Sequence, residues 1–97
     1  MTYSFHHDAE RELEEAENYY DNIDEQLGDR FRAEVEVSIA RILAFPKLWH
    51  PLTKTVRRRR LSSFPYGIIY RAKSEDEIRI LAVMHLHREP GYWRSRQ

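Results

Sequence analysis

The sequence predicts an α+β protein in which an antiparallel helical hairpin packs on a small antiparallel sheet, in the order β-α-α-β-β-β. Three observations predict it. Apolar residues recur at helical spacing from Ala9 to Phe45. Pro46 and Pro51 then interrupt that period. From residue 55 onward the apolar pattern has the period of strands, with a polar Ser-Glu-Asp connection at 74–76.

Each element has a local reason. Residues 2–6 (TYSFH) are short and rich in β-formers, which reads as an edge strand. Asp8 stands where a helix N-cap is expected. Ala9, Leu13, Ala16, Tyr20, Ile23 and Leu27 then form one apolar stripe, with acids on the other face. Gly28 reads as the stop of this helix and Asp29 as the cap of the next. Phe31, Val35, Ser38 or Ile39, Ile42 and Phe45 continue the helical period until Pro46 ends it. So short a connection makes the two helices antiparallel.

Residues 46–53 read as a loop, and strands follow at 55–61, 67–73 and 77–86. In the last of these, Ile78, Ile80, Ala82 and Met84 share one phase and Leu81 and Val83 the other. Such a strand is central and covered on both faces. Pro90 and Gly91 stop it, and Tyr92 and Trp93 are expected to fold back over the sheet.

Composition narrows the function. The 97 residues are expected to form one domain, 1–97. There is no cysteine, which excludes disulfides and thiolate metal sites and fits a reducing cytoplasm. No secretory pattern is visible at the N-terminus, and no apolar run is long enough to span a membrane. Three glycines and no phosphate loop argue against a nucleotide cofactor, and no other cofactor is expected. The net charge is zero but unevenly placed: residues 8–29 carry ten acids and one arginine, and residues 30–97 carry fifteen bases and six acids. The acidic stretch reads as a solvated helix face, and the basic part as a surface for a polyanion or an acidic partner.

The stretch Arg57-Arg58-Arg59-Arg60 gives that basic part its centre. Strand alternation puts Arg57 and Arg59 on one face and Arg58 and Arg60 on the other. Both faces cannot be buried unpaired, so at least one is exposed or meets the acidic helices. Lys54, Arg71 and Arg79 add charge nearby. Three uses compete: binding phosphate, docking an acidic protein segment, and guarding a sheet edge against aggregation. His85 and His87 share a face by period 2, but without a third ligand they do not define a metal site, and no metal is expected. His85 can serve as acid or base in phosphodiester cleavage, or as a hydrogen-bonded structural residue. Tyr92 and Trp93 can stack on a base or seal the open end of the core.

The stretch SSFPYGIIYRAKSEDEIRILAVMHLHREPGYWRSR carries a resemblance. Phe64-Pro65-Tyr66, Ile68, Tyr70, the polar turn, Ile80 through Val83, His85, Arg88, Pro90, Trp93 and Arg96 resemble the ParE/RelE superfamily of toxin–antitoxin toxins. AERELEEAENYYDNI looks like that family's first helix, so the resemblance covers nearly the whole chain. It implies a cytoplasmic bacterial toxin masked by a cognate antitoxin that folds onto it. A dimer or a toxin–antitoxin hetero-oligomer is compatible with it.

The RelE-like branch resembles a ribosome-dependent ribonuclease that cuts messenger RNA, for which Arg58, Arg60, His85, Arg88 and Tyr92 would be the catalytic set here. The sequence departs from that branch where Gly67 follows Tyr66 and Leu86 follows His85, positions at which the branch places arginines. The long hairpin and the His85, Arg88, Pro90, Trp93 tail look closer to the ParE-like branch, a non-enzymatic inhibitor of DNA gyrase; a third reading is an orphan, non-toxic member that only binds a partner. Arg57, Arg58, Arg59, Arg60, Arg71, Arg88, Trp93, Arg94 and Arg96 are then the expected contacts to target or antitoxin.

Overall fold

The computed structural model describes residues 1–97. The elements are β1 (Thr2–Phe5), α1 (His7–Ile23), α2 (Glu25–Ala44), β2 (His50–Pro51), β3 (Val56–Arg60), β4 (Tyr66–Ala72) and β5 (Glu77–His85), and a 3-10 turn follows at Arg94–Arg96. The expected order is present, with a two-residue strand added inside the 46–53 loop. The sheet order is β1-β5-β4-β3-β2. β2 to β5 pair antiparallel, as expected. β1 joins parallel to β5, with Thr2 opposite Glu77 and Phe5 opposite Ile80, so the whole sheet is mixed. β4 takes the centre, and β5 lies between it and β1.

The helix ends differ from the sequence expectation. The N-cap of α1 is His6, not Asp8: the Asp8 backbone N–H donates to His6 Nδ1 at 3.1 Å. Asp8 lies in the first turn, where its carboxylate suits the helix dipole and pairs with Arg11 at 3.2 Å. Neither Gly28 nor Asp29 separates the helices. Asp24 does so alone: its backbone N–H closes α1 on the Tyr20 carbonyl at 3.0 Å, and its Oδ1 accepts from the Gln26 N–H at 2.8 Å. Gly28 lies inside α2, where a Cβ would run into the Asp21 carboxylate and stand 3.1 Å from the Asp21 backbone nitrogen. It permits close approach rather than a stop. The pairs Asp21–Gly28, Tyr20–Phe31 and Glu17–Arg32 climb the hairpin in opposite directions, which makes it antiparallel.

His6 makes the start of α1 sensitive to pH. Burial and then the neighbouring His7 pull its pKa below the usual 6.5. The unfolded chain therefore binds this proton more readily than the folded one. The cap's contribution is present above about pH 6.5 and is lost as pH falls below it, since protonated Nδ1 cannot accept a hydrogen bond. A urea-denaturation series from pH 7.5 to 5 should show a loss of about 1 kcal/mol that His6→Asn, which caps without titrating, removes.

The sheet is covered on both faces. On the helix face, Leu13, Phe31, Val35, Ile42, Ile68, Tyr70, Ile78, Ile80 and Val83 belong to one buried cluster. Phe64 and Tyr66 close it under the hairpin, with Phe64 5.1 Å from the Phe31 ring and 4.8 Å from Tyr20. On the other face, Val56, Ile69, Leu81, Ala82 and Met84 are covered by Trp93. Strict alternation in β5 fails at one place. Ile69 pairs with Ala82 and Tyr70 with Ile80, so Leu81 is an extra, bulged residue. It shifts Val83 to the helix face with Ile78 and Ile80, and leaves Ala82 and Met84 on the other. His85, two residues beyond Val83, follows it to the helix side. As expected, the chain turns back after β5; Gly91 has φ 84°, a conformation natural to glycine.

Candidate functional site: an arginine strand and a carboxylate hub

The register of β3 separates its arginines as alternation predicts. Arg57 and Arg59 lie opposite Tyr70 and Ile68 and so face the helices, while Arg58, opposite Ile69, and Arg60 face the other side. Neither pair meets the acidic helix. None of the four, nor Arg71, has a carboxylate within ion-pairing distance. Arg57 Nη1 donates to the Trp49 carbonyl at 2.9 Å, and the Arg59 guanidinium lies 4.3 Å over the Trp49 ring. The Nε atoms of Arg58, Arg59 and Arg71 are buried without a hydrogen-bond partner. Burial, and then Arg60, holds Arg58 below the ordinary guanidinium pKa; burial, and then Arg41, does the same for Arg59. A strand of partly desolvated, unpaired guanidinium groups favours any ligand that supplies carboxylate or phosphate oxygens.

Gly67 has a local explanation. Its absent Cβ would stand 3.2 Å from Arg58 Cγ and Cδ, so the glycine lets the Arg58 stem lie flat across β4. An arginine at this position would displace Arg58.

The tail residues converge on a group that sequence reasoning assigned to the solvated face. Glu12 is 7% exposed. Its Oε1 accepts from the Val83 backbone N–H at 3.1 Å and from Arg96 Nη1 at 2.8 Å. Its Oε2 accepts from the Tyr92 hydroxyl at 2.7 Å, Arg96 Nη2 at 3.1 Å and Arg88 Nη1 at 3.3 Å. Arg88 and Arg96 also lie 3.7 and 4.8 Å from the Tyr92 ring centre. Burial works against the charge of Arg96, but its hydrogen bonds to Glu12 prevail and its pKa is raised. Burial, and then the hydrogen bond to Glu12, pushes the Tyr92 phenol well above its ordinary value. The spacing held a signal: Glu12 is three residues after Ala9 and four before Ala16, on the edge of the apolar stripe.

The expected contact residues thus fall into two groups. Arg57, Arg58, Arg59, Arg60, Arg71 and Arg94 carry no carboxylate partner, whereas Arg88 and Arg96 are tied to Glu12 and Trp93 is 2% exposed in the second core cluster. The possible ribonuclease set is not gathered. Arg58 and Arg60 lie on one side of the sheet, and His85 lies on the other beside Tyr66, with ring centres 5.0 Å apart. His85 Nδ1 accepts from the His87 N–H at 3.1 Å, and Tyr92 donates to Glu12. The one cluster with metal-ligand geometry is His6, His7 and Asp8, whose ligand atoms lie within 4.8 Å of one another, but His6 Nδ1 is already the helix cap.

Comparisons with known proteins agree with this architecture. No curated protein matches the sequence. A solved structure described as the chromosomal ParDE TA system from P. aeruginosa is similar in fold, with TM-score 0.74 at 17% identity, covering 90% of this chain and 97% of that one. The family described as ParE toxin of type II toxin-antitoxin system, parDE, matches residues 3–90, from β1 through β5 and into the turn beyond it. With the match running through both helices and the whole sheet, the chain belongs to the ParE toxin family of type II toxin–antitoxin systems.

Proposed function

We propose that residues 1–97 act as one unit, a cytoplasmic toxin that inhibits DNA gyrase by binding, without turnover, and is neutralised by a cognate antitoxin. The observation that carries the non-enzymatic reading is the dispersal of the candidate catalytic groups: Arg58 and Arg60 on one side of the sheet, His85 on the other, and the Tyr92 phenol held by Glu12. General acid–base chemistry needs its groups within reach of one reacting atom. Gyrase as the target follows from the ParE-like resemblance. The contact surface is the unpaired basic face of Arg58, Arg60, Arg71 and Arg94, while Arg57 and Arg59 lie on the helix side of the same strand. Arg88, Trp93 and Arg96 support it by fixing the tail.

A binding inhibitor should stop supercoiling by purified gyrase at near-stoichiometric ratios. Arg58→Glu and Arg60→Glu should each weaken inhibition several-fold and add in the double variant, while His85→Ala leaves it intact. The rival reading, a ribosome-dependent ribonuclease, would centre on the cleft of about 220 Å³ where His85 and Arg88 meet Tyr66 and Glu15. It would be favoured if induction halted methionine incorporation before thymidine incorporation and His85→Ala abolished toxicity.

A further inference from the structure

The largest cavity, about 480 Å³, lies on the helix side of the sheet beyond the end of α2. Its floor is apolar: the Tyr70 ring, Ile78 and Ala72. The Tyr70 hydroxyl is already committed, donating to the Pro46 carbonyl at 2.7 Å, and Tyr70 and Ile78 are each 1% exposed, so the floor offers no donor and its accessible apolar surface comes from Ala72 and Met1. The rim is cationic. Lys47, Lys54 and Arg57 line it, with Glu75 the one acid. Neither lysine has a carboxylate within ion-pairing distance, and Arg57 is held only by the Trp49 carbonyl.

An apolar floor beneath three unpaired cations selects a specific chemistry: a large apolar side chain flanked by carboxylates. The volume lies in the range of about 300–1,000 Å³ typical of ligand pockets and suits one such side chain with its neighbours. Two sources could supply it. The chain itself has Tyr19 and Ile23, each 60% exposed, beside Asp21 and Asp24. That contact would join the acidic helix of one copy to the basic cleft of another, as a reciprocal dimer or an open chain of copies. The family is that of a two-protein module, which provides the other source. We propose that this cleft seats a large apolar side chain from an acidic stretch of the cognate antitoxin, with Lys47, Lys54 and Arg57 holding the adjoining carboxylates. The inference rests on the toxin reading above and adds an anchor on the sheet side opposite Arg58 and Arg60.

The test is titration of the purified chain with its purified cognate antitoxin. Lys54→Glu and Lys47→Glu should each raise the Kd at least tenfold. Arg30→Glu, the same charge change in the first third of α2, should leave it within about twofold. A photo-cross-linking residue at exposed Ala72 should label the antitoxin at an apolar residue beside acids. Binding indifferent to Lys47 and Lys54, or a cross-link to a second copy of this chain, would overturn the cleft assignment alone. No binding by the unaltered chain would overturn the toxin reading with it.

Discussion

Replacing Glu12 by alanine should lower folding stability by about 3–5 kcal/mol, because Arg96 would remain buried with only Asp8, at 3.9 Å, and the Leu81 carbonyl as partners. The Arg96 side chain is 9% exposed, and Glu12 supplies two of its hydrogen bonds. A protein of this size has roughly 5–15 kcal/mol in total, so the variant should unfold at markedly lower urea. Replacing both partners, Glu12→Leu with Arg96→Met, should recover only part of the loss: the orphaned charge is removed, but the Val83 N–H and the Tyr92 hydroxyl still lose their acceptor. A loss below about 1 kcal/mol for Glu12→Ala would mean that water satisfies Arg96 as well as Glu12 does.

Trp93→Ala should cost a similar amount, about 3–5 kcal/mol, as expected for truncating a buried aromatic side chain. Trp93 covers Val56, Ile69, Leu81, Ala82 and Met84 on the face without helices. The variant should bind a hydrophobic dye and melt earlier, and toxicity should fall in proportion to the folded fraction. If it stayed as stable as the parent chain yet lost toxicity, Trp93 would be a contact residue rather than a cover.

Much of this architecture is legible in the sequence because period is a robust signal. The apolar stripe marks the buried side of the hairpin at Ala9, Leu13 and Ala16, although Ile23 near its end is 60% exposed, and alternation sorts Arg57 and Arg59 from Arg58 and Arg60. What escaped has identifiable causes. Ile23 and Leu27 keep the helical spacing across Asp24, so a one-residue break leaves no gap in the stripe. Both phases of β5 are apolar, so its pattern cannot reveal the bulge at Leu81. Glu12 lies among so many acids that its partial membership of the apolar face is hidden. Its partners are 71 to 84 residues away, beyond any local pattern. The parallel pairing of β1 is equally non-local.

The same long-range closures set the order of events on the ribosome. β1 finds its only strand partner in residues 77–80, and Glu12 must wait for Arg96. The hairpin can form while the rest is still being made, but its first strand lies idle and a carboxylate on its apolar edge stays unneutralised. The sheet is therefore completed only once residues 77–80 have emerged, and closing such long loops slows folding. A nascent chain stalled before residue 77 has β2 to β4 but lacks β5, which joins them to β1, and the tail that carries Trp93 and Arg94, so truncated products should be harmless to the cell that makes them.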